Sequence, residues 1–230
     1  MYRYYNKDVN IKLSVQDTFS GIKSVTYSIE APYDKSKNMS DTTTVTNGSI
    51  SDSTWKKDGS EMNLVTAMSK NIKVSSNSND IVVKLTLKDN AGNTTSKSIK
   101  FSIDKTAPKV SINFDGSNGG YYSSTKTVTF TVTERNLELS SINKYVSANI
   151  SSANGGSIPR ISWSLTKDRN NPDNNKFVGV ANFVNDGTFD CSISARDMVG
   201  NKSNKSSSVK FTIDKTAPVI TFSKVSRYNN

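Results

Sequence analysis

Two stretches of eight residues, Phe101-Ser-Ile-Asp-Lys-Thr-Ala-Pro108 and Phe211-Thr-Ile-Asp-Lys-Thr-Ala-Pro218, are nearly identical and begin 110 residues apart. Self-similarity at so long a period points to a repeated whole domain, because about a hundred residues can close a hydrophobic core of their own. The repeat extends upstream. Asp89-Asn-Ala-Gly-Asn93 answers Asp197-Met-Val-Gly-Asn201, and Ile81-Val-Val-Lys-Leu-Thr-Leu87 lies in phase with Phe189-Asp-Cys-Ser-Ile-Ser-Ala195. Further back, the stretch from Tyr4-Tyr5 to Asp17 matches that from Tyr121-Tyr122 to Glu134. The offset is 117 at the tyrosines and 108 at the glycine turn, so insertions and deletions fall in the middle of each unit, where loops absorb them.

Hydrophobic residues make up 33% of the chain and the mean hydropathy is −0.54, values low enough to raise the question of disorder. Periodicity answers it. Val9, Ile11, Leu13 and Val15 alternate with polar residues, as do Val128, Phe130 and Val132, and Ile99, Phe101 and Ile103. Such alternation marks half-buried antiparallel strands. The first domain reads as strands near 8–17, 21–31, 45–51, 63–74, 80–89 and 97–104. The second reads as 108–114, 125–134, 145–151, 160–166, 176–184, 187–196 and 208–214. Short strands with turn signals every ten or so residues predict an all-β fold, two tandem antiparallel β-sandwiches, with no sustained helical period.

The second list has one strand more. Ala107-Pro108 opens domain two with a strand whose copy, Ala217-Pro-Val-Ile-Thr-Phe222, follows the close of that domain, while nothing of the kind precedes Tyr4. The boundaries expected are therefore 1–106 for a first domain lacking its first strand, 107–216 for the second, and 217–230 for the first strand of a following repeat. Residues 217–225 should pack loosely or pair with another chain's exposed edge. The junction Asp104-Lys-Thr-Ala-Pro108 contains no glycine, and Pro108 stiffens it, so neighbouring domains should lie nearly end to end at about 35–40 Å each.

Chemistry is excluded step by step. Histidine is absent, which removes His-based triads and imidazole metal sites. The single cysteine, Cys191, allows no intrachain disulfide and falls on the inward face of its strand, where a thiol packs as a small hydrophobe. Asp168, Asp173 and Asp186 lie in loops, but a glycosidase pair needs a cleft that a thin sandwich rarely offers. A net charge of +10 invites a nucleic-acid reading, yet lysines such as Lys12, Lys84, Lys88 and Lys100 stand singly at outward positions without stacking aromatics. No apolar run approaches the roughly 20 residues that cross a bilayer, and no signal peptide opens the chain, so export signals and anchors are expected elsewhere in a longer parent protein.

The double-tyrosine opening, the Asp-x-x-Gly-Asn turn and the Phe-x-Ile-Asp-Lys-Thr-Ala-Pro junction resemble the bacterial immunoglobulin-like (Big-type) tandem repeats of large Gram-positive surface proteins. The likeness covers essentially the whole chain and is better in domain two, where Val132-Thr-Glu-Arg-Asn136, Trp163 and Asp186-Gly-Thr-Phe189 fall at family positions; residues 31–75 depart from it. It implies two tandem immunoglobulin-like antiparallel β-sandwiches and a non-catalytic stalk or adhesive module, extracellular on the bacterial surface or secreted. Expected partners are neighbouring repeats and cell-wall polymers, glycans or host proteins, with no cofactor and no nucleic acid.

Against that background Trp55, in a polar loop, is the candidate ligand-binding residue, because an exposed indole stacks on sugars; Trp163, flanked by Ile161 and Leu165 in alternation, reads as a core plug. Asp89, Asp104 and Asp197 admit calcium as an alternative to turn-forming roles, without the dense alternation of Asp and Asn that such ions favour. An isopeptide crosslink would need a buried lysine, and Lys12 and Lys84 alternate outward.

Overall fold

A computed structural model describes residues 3–204, 206 and 208–223. The chain divides at Thr106/Ala107 into two compact units, Met1–Thr106 and Ala107–Met198 with Lys202–Asn230; the short piece Val199–Asn201 groups with the first.

In the first unit the strands are β1 (Tyr4–Tyr5), β2 (Val9–Gln16), β3 (Ile22–Glu30), β4 (Met39–Thr46), β5 (Ser49–Ile50), β6 (Lys56–Glu61), β7 (Leu64–Val74), β8 (Ser78–Asp89) and β9 (Thr94–Ile103). They form two sheets, ordered β1-β9-β8-β3-β4-β5 and β2-β7-β6. Alternation decides which side chains enter: Val25, Tyr27 and Ile29 of β3 and Ile81 and Val83 of β8 point inward to meet Leu13, Met68, Ile72 and Val74 from the opposite sheet.

The second unit contains β10 (Lys109–Phe114), β11 (Tyr121–Tyr122), β12 (Lys126–Thr133), the one-turn helix α1 (Ile142–Tyr145), β13 (Val146–Ala153), β14 (Ser162–Thr166), β15 (Lys176–Phe183), β16 (Gly187–Ala195) and β17 (Val209–Ile213). Its sheets are ordered β10-β12-β15-β14 and β11-β17-β16-β13. Phe130, Phe177, Phe183, Phe189 and Phe211 fill the space between them and are almost wholly buried. Along β16 every odd-numbered residue from Gly187 to Ala195 is buried, the period of two at its clearest.

The two units share a strand order, with β2-β7-β6 answering β12-β15-β14 and β1-β9-β8-β3 answering β11-β17-β16-β13. The repeated sequence landmarks turn out to be each other's partners. Tyr4 and Tyr5 pair with Ser102 and Ile103, and Tyr121 and Tyr122 pair with Thr212 and Ile213. In both units the residue after the last strand closes the pairing: Asp104 N–H donates to Tyr5 O at 2.8 Å and Asp214 N–H to Tyr122 O at 2.9 Å. These short pairings are parallel, a departure from the all-antiparallel expectation.

Two further departures have physical causes. The strand expected over 45–51 straddles a hairpin: Asn47 and Gly48 both take positive φ, 48° and 73°, the two-residue turn that joins Thr46 to Ser49. The polar stretch before it is β4, and the strand β6 went unforeseen because its sequence, Lys-Lys-Asp-Gly-Ser-Glu, buries almost nothing. Among the described residues of the first unit, no strand pairs with the outer edge of β2, whereas β12, its counterpart, is covered by β10. Residues up to Ser223 of the tail form no strand, and Val219, Ile220 and Phe222 are 87%, 80% and 95% exposed. Residues 224–230 lie outside the described residues.

Candidate functional site

Trp55 does not offer its indole to solvent: it is 4% exposed and belongs to the core of the first unit. A turn draws it in. Asp52 O accepts the Trp55 N–H at 3.2 Å, and Asp52 Oδ1 accepts the Thr54 N–H and hydroxyl at 2.8 and 2.7 Å. Stacking on a sugar needs a free ring face, which this placement denies. Its Nε1–H is buried without an acceptor.

Beside it lies a group that the sequence reading passed over. Lys70, on β7, falls on the face that carries Met68, Ile72 and Val74, so its stem runs inward. Its Nζ lies 2.8 Å from Asp52 Oδ2, 3.5 Å from Asp41 Oδ2, and 5.0 and 5.9 Å from the ring centres of Tyr27 and Trp55. The hydrogen bond from Lys70, aided by the Thr54 N–H and hydroxyl, holds the Asp52 carboxyl at about 2. Burial alone would lower the Lys70 pKa, but its bonds to Asp52 and Tyr27 outweigh that and raise it. The amine is therefore held as ammonium, so Lys70 itself is neither a nucleophile nor a general base. Lys12 and Lys84 point outward as the alternation predicts.

The Asp52 arrangement carries a pH signature. A carboxyl held below its ordinary 3.8 stabilises the fold fully above about pH 4, and that contribution disappears as pH falls toward 2. After allowance for solvent screening it is roughly 1 kcal/mol. Urea titrations at pH 5, 4, 3 and 2.5, followed by Trp55 fluorescence, should give Asp52→Asn a flatter stability profile than the parent; parallel profiles would refute the assignment.

In the second unit, burial pushes the Cys191 thiol up to about 12, with the Asp190 charge adding to it, so no thiolate forms near neutral pH. The three loop carboxylates serve separate local networks. Asp168 Oδ1 accepts the Asn170 and Asn171 N–H groups at 2.9 and 3.1 Å, Asp173 pairs with Arg135 Nη1 at 2.8 Å, and Asp186 accepts the Lys215 N–H and the Thr216 hydroxyl at 3.0 and 2.8 Å. In the turn after β8, both Asp89 oxygens accept from Asn93, the backbone N–H at 2.7 Å and the side-chain amide at 2.8 Å, while Gly92 takes φ +96°.

Two broad depressions border the loops over 152–175: one of about 490 Å³ is lined by Thr166, Asp168, Arg169 and Asn174, and the other lies between β13 and β14, the edge strands of the two sheets. The latter measures about 550 Å³ and is lined by Asn149, Ile150, Ile158, Arg160, Ile161 and Trp163. Ile158 is 57% exposed, and Trp163 is half-buried against the core. Among the described residues no helix is long and apolar enough to cross a membrane.

Two facing sheets of mostly antiparallel strands give each unit the architecture of an immunoglobulin-like sandwich. No curated protein matches the chain. Similar solved structures include Dpr2 Ig1-Ig2 in complex with DIP-Theta Ig1-Ig3 (13% identity, TM-score 0.26, 94% of each chain covered). A chicken T cell receptor is 9% identical at TM-score 0.33, with 93% of this chain and 96% of that one covered. A marsupial T cell receptor is 10% identical at TM-score 0.34, with 94% and 92% covered. The family model for the bacterial Ig-like domain (group 3) matches residues 174–230, so the C-terminal part of this chain is consistent with a bacterial immunoglobulin-like domain.

Proposed function

We propose that the chain is a non-catalytic stalk segment of an exported bacterial surface protein, spacing a terminal functional domain from the cell. One observation carries the reading: each unit fastens the segment by which the chain leaves it, and both do so alike. Thr106 N–H donates to Asp104 Oδ1 at 3.0 Å and Thr216 N–H to Asp214 Oδ1 at 3.0 Å. Lys105 Nζ donates to Ser75 O at 2.8 Å and Lys215 Nζ to Val184 O at 2.7 Å. A repeated strap of this kind suits a module whose task is to hold a direction, and the repeat supplies neither a histidine nor an accessible thiolate for catalysis.

A second reading, an adhesin contacting glycans or host proteins, draws on the depression beside Trp163. A glycan array distinguishes the two: the stalk reading expects silence, and binding that disappears with Trp163→Ala would replace it with the adhesin. Small-angle scattering of Pro108→Gly should broaden the distance distribution; an unchanged curve would count against control of spacing by the junction.

A further inference from the structure

We infer that β13, the outer strand of one sheet of the second unit, pairs antiparallel with β13 of a second copy of this chain across a two-fold axis at Asn149, joining two four-stranded sheets into one of eight strands. The first unit shows what such an edge takes. There β3, the counterpart of β13, is covered by β4, which runs antiparallel to it from Ser24 opposite Thr44 to Ile29 opposite Met39. In the second unit residues 154–161 carry the chain from β13 directly to β14 on the other sheet, so the interior of the unit forms no strand that could cover this edge.

The make-up of the edge favours joining. β13 pairs with β16 in unbroken register from Val146 opposite Ala195 to Ala153 opposite Thr188, and its eight residues include neither a charge nor a proline. Charges, prolines and bulges are the devices that keep exposed edges apart. Other edges of this protein carry them: β6 has Lys56, Lys57, Asp58 and Glu61 together with two register shifts, and β10 has Lys109. In a chain of net charge +10, β13 is therefore an edge along which two copies meet without like charges opposite one another.

Parity sets the register. Tyr145 O accepts the Arg196 N–H at 2.9 Å, so the odd-numbered residues turn their backbone groups to β16, and the N–H and C=O of Val146, Ala148, Ile150 and Ser152 point to the open side. The antiparallel register that uses all four on both strands sets Val146 opposite Ser152, Ser147 opposite Ser151, Ala148 opposite Ile150 and Asn149 opposite its own copy. Ser147, Asn149 and Ser151 are exposed, whereas Ala148 and Ile150 are half-buried on the inward face. The added strand thus lays its own Ala148 and Ile150 over the depression of about 550 Å³ that Ile161 and Trp163 line and that Ile158, 57% exposed, borders. Seven residues at about 3.3 Å each give roughly 23 Å of shared edge. With the depression filled, the contact is on the order of 1,200 Å², the low end of specific interfaces, so the dimer forms reversibly with concentration. Because one surface serves both copies, assembly closes at two.

Sedimentation of the full chain should show apparent mass rising with concentration from one chain to two and no further. Asn149→Lys, at an exposed position, sets two ammonium groups side by side and should leave a monomer where the parent is dimeric. Asn149→Asp should do the same, and an equimolar mixture of the two variants should recover the dimer. Under mild oxidation Asn149→Cys should link to its own copy, because an opposed pair without hydrogen bonds brings Cα atoms to about 4.5 Å, within disulfide reach. Ser147→Cys alone should link at least tenfold more slowly and regain the rate when mixed with Ser151→Cys. Cys191 is buried and does not compete. A parent that stays monomeric at every concentration would overturn the proposal and leave the edge to a strand of a different protein. So would growth beyond two chains, an Asn149→Lys dimer as tight as the parent's, or equal linkage of Asn149→Cys and Ser147→Cys.

Discussion

Phe211→Ala should lower the unfolding midpoint of the second unit by about 15–25 °C. Phe211 is 1% exposed, stacks on Phe114 at 4.5 Å between ring centres, meets Phe183 edge-on at 5.0 Å and lies 5.5 Å from Phe189. Truncating such a ring removes its transfer free energy and leaves a cavity among side chains that cannot close over it, a loss of about 3–5 kcal/mol. That is a large share of the 5–15 kcal/mol typical of a whole domain. Trp163 fluorescence in a Trp55→Phe background reads this unit alone. A shift below about 5 °C would mean that the phenylalanine cluster is not the keystone of the core.

Trp55 should separate ring size from its polar edge. Trp55→Ala removes a ring 4% exposed and is expected to cost about 3–5 kcal/mol in the first unit. Trp55→Phe should fall within about 1 kcal/mol of the parent. The smaller ring gives up apolar contact, but it also removes an Nε1–H that is buried without an acceptor, a defect worth about 1–3 kcal/mol. Urea unfolding followed by far-ultraviolet circular dichroism gives both values, and a Phe variant as damaged as the Ala variant would show that the indole nitrogen has a partner after all.

Strand positions were legible wherever inward residues are large and apolar. The alternation Val9, Ile11, Leu13, Val15 sets β2 within a residue at each end, and the Val128, Phe130, Val132 series does the same for β12. Between 31 and 61 that signal is missing, because β4 and β6 lie at sheet margins and bury few side chains. The Asn47-Gly48 pair was the usable cue there, a two-residue turn strong enough to divide 45–51. Trp55 was misplaced for a related reason: polar neighbours suggested an exposed loop, yet the Asp52 turn folds the indole beneath them. Lys70 was readable from parity alone, since it sits two residues from both Met68 and Ile72, but a charge on an inward phase is easily taken for noise. The parallel contact between the tyrosine and Asp-Lys-Thr landmarks had no local signature, because it joins residues about a hundred positions apart.

That contact also governs how each unit would bear tension. In each unit the double-tyrosine strand, β1 or β11, lies beside the unit's last strand, β9 or β17, and in the second unit β10 precedes it. Because the partners run in the same direction, traction that reaches the start of one and the end of the other drags one strand lengthwise along its neighbour, so the rungs between them strain together instead of opening one after another. Under such a load each unit would thus resist rupture at the place where the sequence repeats itself most faithfully.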